Sequence, residues 1–252
     1  VTNILYYARF SITPVAPSME HWGAAFIFVP AIGGLIIGLM AYYGSEKIRG
    51  HGIPEALEAI LFGRSIMEPK VAILKPISSA ISIGSGGPFG AEGPIIMTGG
   101  AVGSLIAQFL HLTAAERKTL LVAGAAAGMS AVFSTPLAAI LLAVELLLFE
   151  LKPRSLVPVA LACTSAAILR AHLLGPGPLF PVEAHAPLSD LPLAGAAILG
   201  ISTGFLCHIL STTLYRLEDL FQKLPIHWMW WPGIGGLFVG IGGYFQARAL
   251  GV

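Results

Sequence analysis

Residues 22–43 run without one charged side chain, over about the 20 residues that an α-helix needs to cross a bilayer. Nothing else in the chain constrains its fold so strongly. In hydrocarbon the backbone must satisfy its own hydrogen bonds, and only helices and closed barrels do so. Residues 193–214 repeat the pattern, residues 156–174 are a further candidate, and residues 230–245 nearly qualify. The pieces between them, 54–62, 71–83, 94–110, 119–132 and 136–149, are too short or too interrupted for perpendicular crossings, and they read as tilted or partial helices. The expected fold class is therefore an all-α membrane protein of many tilted and broken transmembrane helices.

Composition agrees. The chain is 56% hydrophobic and 11% charged, whereas soluble domains carry about 25% charged residues. Its 30 glycines and 18 prolines suit helices that pack closely and break inside the membrane. A net charge of +1 supports neither a nucleic-acid partner nor an acidic substrate. No Ser-His-Asp, metal-ligand or phosphate-loop spacing occurs, so neither an enzyme nor a cofactor or metal site is expected. His21, His111, His172, His185, His208 and His227 are too scattered for a metal centre. Cys163 and Cys207 lie in apolar stretches and read as two buried free thiols.

An internal repeat organises the chain. Pro30-Ala31-Ile32-Gly33-Gly34-Leu35-Ile36-Ile37-Gly38 returns as Pro232-Gly233-Ile234-Gly235-Gly236-Leu237-Phe238-Val239-Gly240, with Tyr42 and Tyr244 in the same register. Repeated halves with broken helices are a signature of transporters and channels. Residues 176–192, polar and rich in proline, read as a linker between a first repeat (1–175) and the start of a second (193–252). Val1 opens without an initiator Met and the second copy stops soon after it begins, so the chain is expected to be little more than half of its functional protein. The run His227-Trp228-Met229-Trp230-Trp231 reads as an interfacial aromatic belt, with Trp22 in a similar role. A ligand-stacking site is the sharper alternative.

Two interrupted helix starts carry the chemistry. Gly50-His51-Gly52-Ile53-Pro54 is a glycine turn with proline opening a helix, and Gly90-Ala91-Glu92-Gly93-Pro94 is a second. Pro94 suits a first helical position, where a missing N–H removes no bond. The free amides and positive dipole end of such a start attract anions. Glu92 would then sit inside its own chain's anion site as a removable plug.

These residues resemble the CLC family of chloride channels and chloride/proton exchangers. Gly50–Pro54 is similar to the family's Gly-Ser-Gly-Ile-Pro motif, with His51 in place of serine. Gly90–Pro94 is similar to its Gly-Arg-Glu-Gly-Pro motif, with Ala91 in place of arginine. Gly124-Ala125-Ala126-Ala127-Gly128-Met129-Ser130-Ala131-Val132-Phe133-Ser134-Thr135-Pro136-Leu137-Ala138 follows the family pattern before its next helix. The resemblance implies an inverted-repeat fold in a multi-pass cell-membrane protein, and a homodimer surrounded by lipid. Each subunit would hold its own path for chloride or a similar small anion. It implies anion contacts from Gly50, His51, Gly52, Ile53, Pro54, Gly90, Ala91, Gly93 and Pro94, and a gating role for Glu92.

The departures matter. His51 either donates an N–H to the anion, adding pH dependence if protonated, or turns into a helix interface. Ala91 removes a cation beside Glu92, and the family's fluoride-carrying branch also departs at these two positions. Exchanging members use the latter of two successive glutamates to relay protons, and here that pair reads Glu145-Leu146. Leucine carries no proton, so channel-like conduction is favoured over exchange, with water or Glu150 as substitute routes and Glu145 as an equally plain structural acid. Gly84-Ser85-Gly86-Gly87-Pro88 imitates an anion loop but is read as a structural glycine run. Readings from other classes are a non-conducting fragment and an intramembrane enzyme with Glu92 as base.

Overall fold

The computed structural model describes residues 1–11, 23–50, 52–175, 190–246 and 250, and every regular element among them is helical. After a short α1 (Thr2–Tyr7), a 3-10 turn (Gly23–Ile27) leads into α2 (Phe28–Tyr43). Next come α3 (Ile53–Leu61), α4 (Pro69–Gly84), α5 (Glu92–Phe109) and α6 (Ala114–Phe133). Then α7 (Pro136–Leu142) continues as π-helix over Ala143–Leu148, followed by α8 (Pro153–Leu174). Finally α9 (Asp190–Gln222) is joined through a 3-10 turn (Trp228–Trp230) to α10 (Trp231–Phe245).

Segments Gly23–Tyr43, Pro153–Leu173 and Ala194–Gln222 are long and apolar enough to cross a membrane. The segment expected as a short piece at 119–132 is instead a 20-residue helix, α6, because its first turn takes in the charged residues Glu116, Arg117 and Lys118; α3, α4, α5 and α7 are shorter. Local chemistry sets their starts. Pro69, Pro136 and Pro153 each open a helix, where the absent N–H forfeits no intrahelical bond. Ahead of α6, the Thr113 amide donates to Glu116 Oε2 at 3.0 Å while Thr113 Oγ1 accepts from the Glu116 amide, a reciprocal cap.

The core lies where α5, α6, α7 and α8 meet, around Ile96, Met97, Leu121, Val122, Leu147 and Cys163. Small residues let α5 and α6 approach closely. A methyl on Gly99 would overlap the Gly124 carbonyl, and one on Gly124 would overlap that of Gly99. Buried Ser104 on α5 ties down the segment before α4. Its Oγ donates to Ser65 O at 2.7 Å and accepts from the Met67 amide at 3.0 Å.

The two copies of the repeat pack against each other as α2 and α10. Gly34 abuts the carbonyl of Pro232, and its counterpart Gly236 abuts that of Pro30. Gly38 likewise meets Met229 O, and its counterpart Gly240 meets Ile27 O. Each contact is made twice with the partners exchanged, as a local two-fold between inverted repeats requires.

Several expectations change. The helix α5 begins at Glu92, so Pro94 stands third rather than first. No helical acceptor precedes the first amides of a helix, so a proline there is still free of penalty. Cys163 is buried, but Cys207 is exposed on α9. The expected linker overlaps the start of α9 at Asp190, and its residues 176–189 lie outside the described residues, as do His21, Trp22, His51 and His185.

Candidate anion site

The first turn depends on two glycines. Gly50 has φ +80° and Gly52 has φ +101°, conformations that residues with a Cβ rarely adopt. The chain then enters α3 with Pro54 in the first turn. The Gly52 amide donates to Glu55 Oε2 at 2.6 Å. One amide assigned to an anion is therefore already held by a carboxylate of the chain itself, as the N3 glutamate of a helix cap.

At the second start, the Ile95 amide donates to Ala91 O at 3.0 Å and closes the first turn of α5. The amides of Glu92 and Gly93 lie ahead of that bond, where a helix supplies no acceptor. Glu92 is exposed, and its carboxylate curls back against Gly90.

The two starts meet. A methyl on Gly52 would overlap the carbonyl of Gly93, with Met97 beside it. Gly50, Gly90 and Pro94 all line one cavity of about 650 Å³ between α2, α4 and α10. Among the described residues its lining carries two cations, Arg49 and Lys75, and no carboxylate. Ser85, Gly87 and Pro88 of the glycine run also line it. Glu145 and Leu146 do not. They belong to the π-helical stretch after α7, which packs on α6 and α8.

Lys75 was missed by motif reasoning. It is 2% exposed, and its Nζ donates to Ile48 O at 2.8 Å and Gly50 O at 2.9 Å. Its signal was available, since Lys75 is the lone charge between residues 71 and 84, and an intramembrane cation marks a functional site by default. Glu150 fits poorly as a substitute proton carrier. Hydrogen bonds from Lys152 and then Ser155 pull its carboxyl down to about 2, so it stays ionised at neutral pH. Among the described residues no cluster of His, Cys, Asp or Glu has metal-binding geometry.

A sequence profile of the voltage gated chloride channel family matches residues 33–252. The chain belongs to that family. The putative chloride channel protein ClcB-like of Ralstonia nicotianae is 27% identical over 233 residues, covering 91% of this chain and 54% of the relative. The H(+)/Cl(-) exchange transporter ClcA of Salmonella arizonae is 30% identical over 247 residues, covering 91% of this chain and 50% of the relative. The chain thus spans about half the length of these relatives. The X-ray crystal structure of a slow cyanobacterial Cl-/H+ antiporter superposes with a TM-score of 0.77 at 22% identity, over 88% of this chain and 53% of that one. At that identity the likeness is one of fold, and it matches the all-α, inverted-repeat membrane architecture of the family. Family membership and the three membrane-length apolar segments make the chain an integral membrane protein.

Proposed function

We propose that the chain forms part of a chloride pathway across the cell's inner membrane and that this transport is coupled to protons. The observation that carries the reading is the meeting of the two helix starts beside a cavity whose described lining carries no carboxylate. Amides of Gly50, His51, Ile53, Gly90, Ala91 and Gly93 attract a dehydrated anion, and the Gly52 amide joins them when Glu55 releases it. Pro54 and Pro94 supply no amide and fix the backbone that presents the others. Glu92 acts as the gate. Ionised, it competes for the same amides; protonated or displaced, it yields them.

Exchange is preferred to the channel-like conduction expected from the sequence because the relative at 30% identity is named an exchange transporter. Channel-like conduction remains the second reading on one observation: Leu146, at the position matching the family's proton relay, is 43% exposed and carries no proton. The proposed assembly is a homodimer with a pathway in each subunit. Within each, residues 1–175 form one repeat and residues 193–252 begin its inverted counterpart, with 176–192 between them.

The test is anion flux from liposomes with proton movement recorded together, using the full-length protein. A fixed proton-to-chloride ratio supports exchange, and chloride flux without protons selects the channel reading. Glu92→Gln should remove the pH dependence of flux. An unchanged pH profile would remove Glu92 from the gate.

A further inference from the structure

We propose that Arg49 is an anion-recruiting residue, held at the cavity wall by Trp228, and that it concentrates small monovalent anions beside the two helix starts. The inference rests on the anion reading of the cavity and adds a residue outside both motifs.

Arg49 immediately precedes the Gly50 turn and lines the cavity that Gly50, Gly90 and Pro94 share. Its guanidinium sits 4.2 Å from the centroid of the Trp228 ring, a cation–π contact that fixes a long side chain without neutralising it. Trp228 is itself anchored. Its ring lies 6.1 Å from Tyr42 and 5.2 Å from His227, while Tyr42 meets His227 edge-on at 5.2 Å. The aromatic run therefore packs on the anion turn, which a role as an interfacial belt does not require.

Charge distribution gives this arrangement its direction. The ion pairs among the described residues join Lys47 to Glu68 and Lys152 to Glu150, and Arg49 makes none. Lys75, the other cation of the cavity, directs its ammonium to the carbonyls of Ile48 and Gly50. Arg49 also borders a neighbouring cavity of about 630 Å³ that carries Glu46, Glu55, Glu58 and Glu68 against Lys47, which pairs with Glu68. An anion is repelled from that acidic side and attracted on the other. A cleft lined by one sign of charge focuses the field and raises the local concentration of counter-ions. The ring face leaves the edge of the guanidinium, with its N–H donors, available for a passing anion.

The experiment measures chloride flux against chloride concentration in liposomes containing the full-length protein. Arg49→Gln should raise the half-saturating concentration about three- to tenfold, the low end of such focusing effects, with little change in flux at saturation. Arg49→Lys should fall between, because it keeps the charge and loses the flat stack. Trp228→Leu should give a smaller rise in the same direction. Added impermeant salt should narrow the gap between wild type and Arg49→Gln, since screening acts within about 10 Å at 0.1 M ionic strength. An unchanged half-saturation in Arg49→Gln overturns the inference and leaves the anion pathway standing. A wild type that moves no chloride overturns both. Should Arg49→Gln fail to fold, Arg49→Lys and Trp228→Leu read the same quantity, and wild-type half-saturation in both overturns the proposal.

Discussion

Lys75 Nζ donates to the carbonyl oxygen of Gly50 at 2.9 Å, across the 25 residues that separate them in sequence. The same ammonium takes the carbonyl of Ile48. The negative ends of these two peptide dipoles are thereby absorbed by a buried cation and do not face an anion at the turn, where a glycine turn alone would present them. The Arg49 amide is spent on Glu46 O and the Gly52 amide on Glu55.

Lys75→Met should therefore weaken both the fold and the site. It strands two acceptors, at about 1–3 kcal/mol for each that stays buried and unpaired. A lower thermal midpoint in detergent and reduced anion flux are the expected readings. A stable variant with normal flux would show that water takes over both carbonyls.

Gly52→Ala tests the junction of the two helix starts. The backbone at φ +101° strains any residue with a Cβ, at about 1–3 kcal/mol, and the methyl would also press on the Gly93 carbonyl. We expect flux to collapse while size-exclusion chromatography still shows an assembled protein. Retained flux would separate this junction from the ion path.

The repeat seam offers a paired comparison. Gly236→Ala drives a methyl into the carbonyl of Pro30 and should destabilise the protein by about 1–3 kcal/mol. The adjacent Gly235 faces open space, so Gly235→Ala should be neutral or stabilising by up to about 1 kcal/mol through helix propensity. Thermal unfolding of the two variants side by side distinguishes packing from a general intolerance of α10.

Acid stability should report on Glu150. Lys152 and Ser155 lower its carboxyl from the usual carboxylate value to about 2 in the folded protein. A depressed folded value means that its stabilisation is present above the unfolded value of about 4.3 and is lost as pH falls through that value toward 2. The wild type should thus lose thermal midpoint between pH 5 and 3 more steeply than Glu150→Gln. Parallel curves would deny the pair any part in acid stability.

Much of this arrangement was legible from residue patterns. Uncharged stretches located the spans, prolines and glycines located the breaks, and the doubled nonapeptide anticipated the seam between α2 and α10. The register of Pro94 was not legible, because a proline is tolerated throughout the first helical turn and does not say which position it fills. Glu55 on the Gly52 amide and Arg49 on Trp228 were missed for another reason. Both sit in plainly charged or polar surroundings, and only the folded turn brings each to its partner. Cys207 read as buried because an apolar neighbourhood in sequence does not distinguish a core from a lipid-facing helix.

The doubled contacts of Gly34 and Gly236 have a mechanical consequence. Helix α9 exposes Ile198, Leu199, Ile201 and Phe205 along its length, so residues 190–246 hold to the rest of the described chain chiefly through the α2–α10 seam. An axle with matched bearings on either side of its midpoint can turn without favouring one end. A small rotation there would load the Gly34 and Gly236 contacts alike, and it would swing Trp228 relative to the turn on which Arg49 rests.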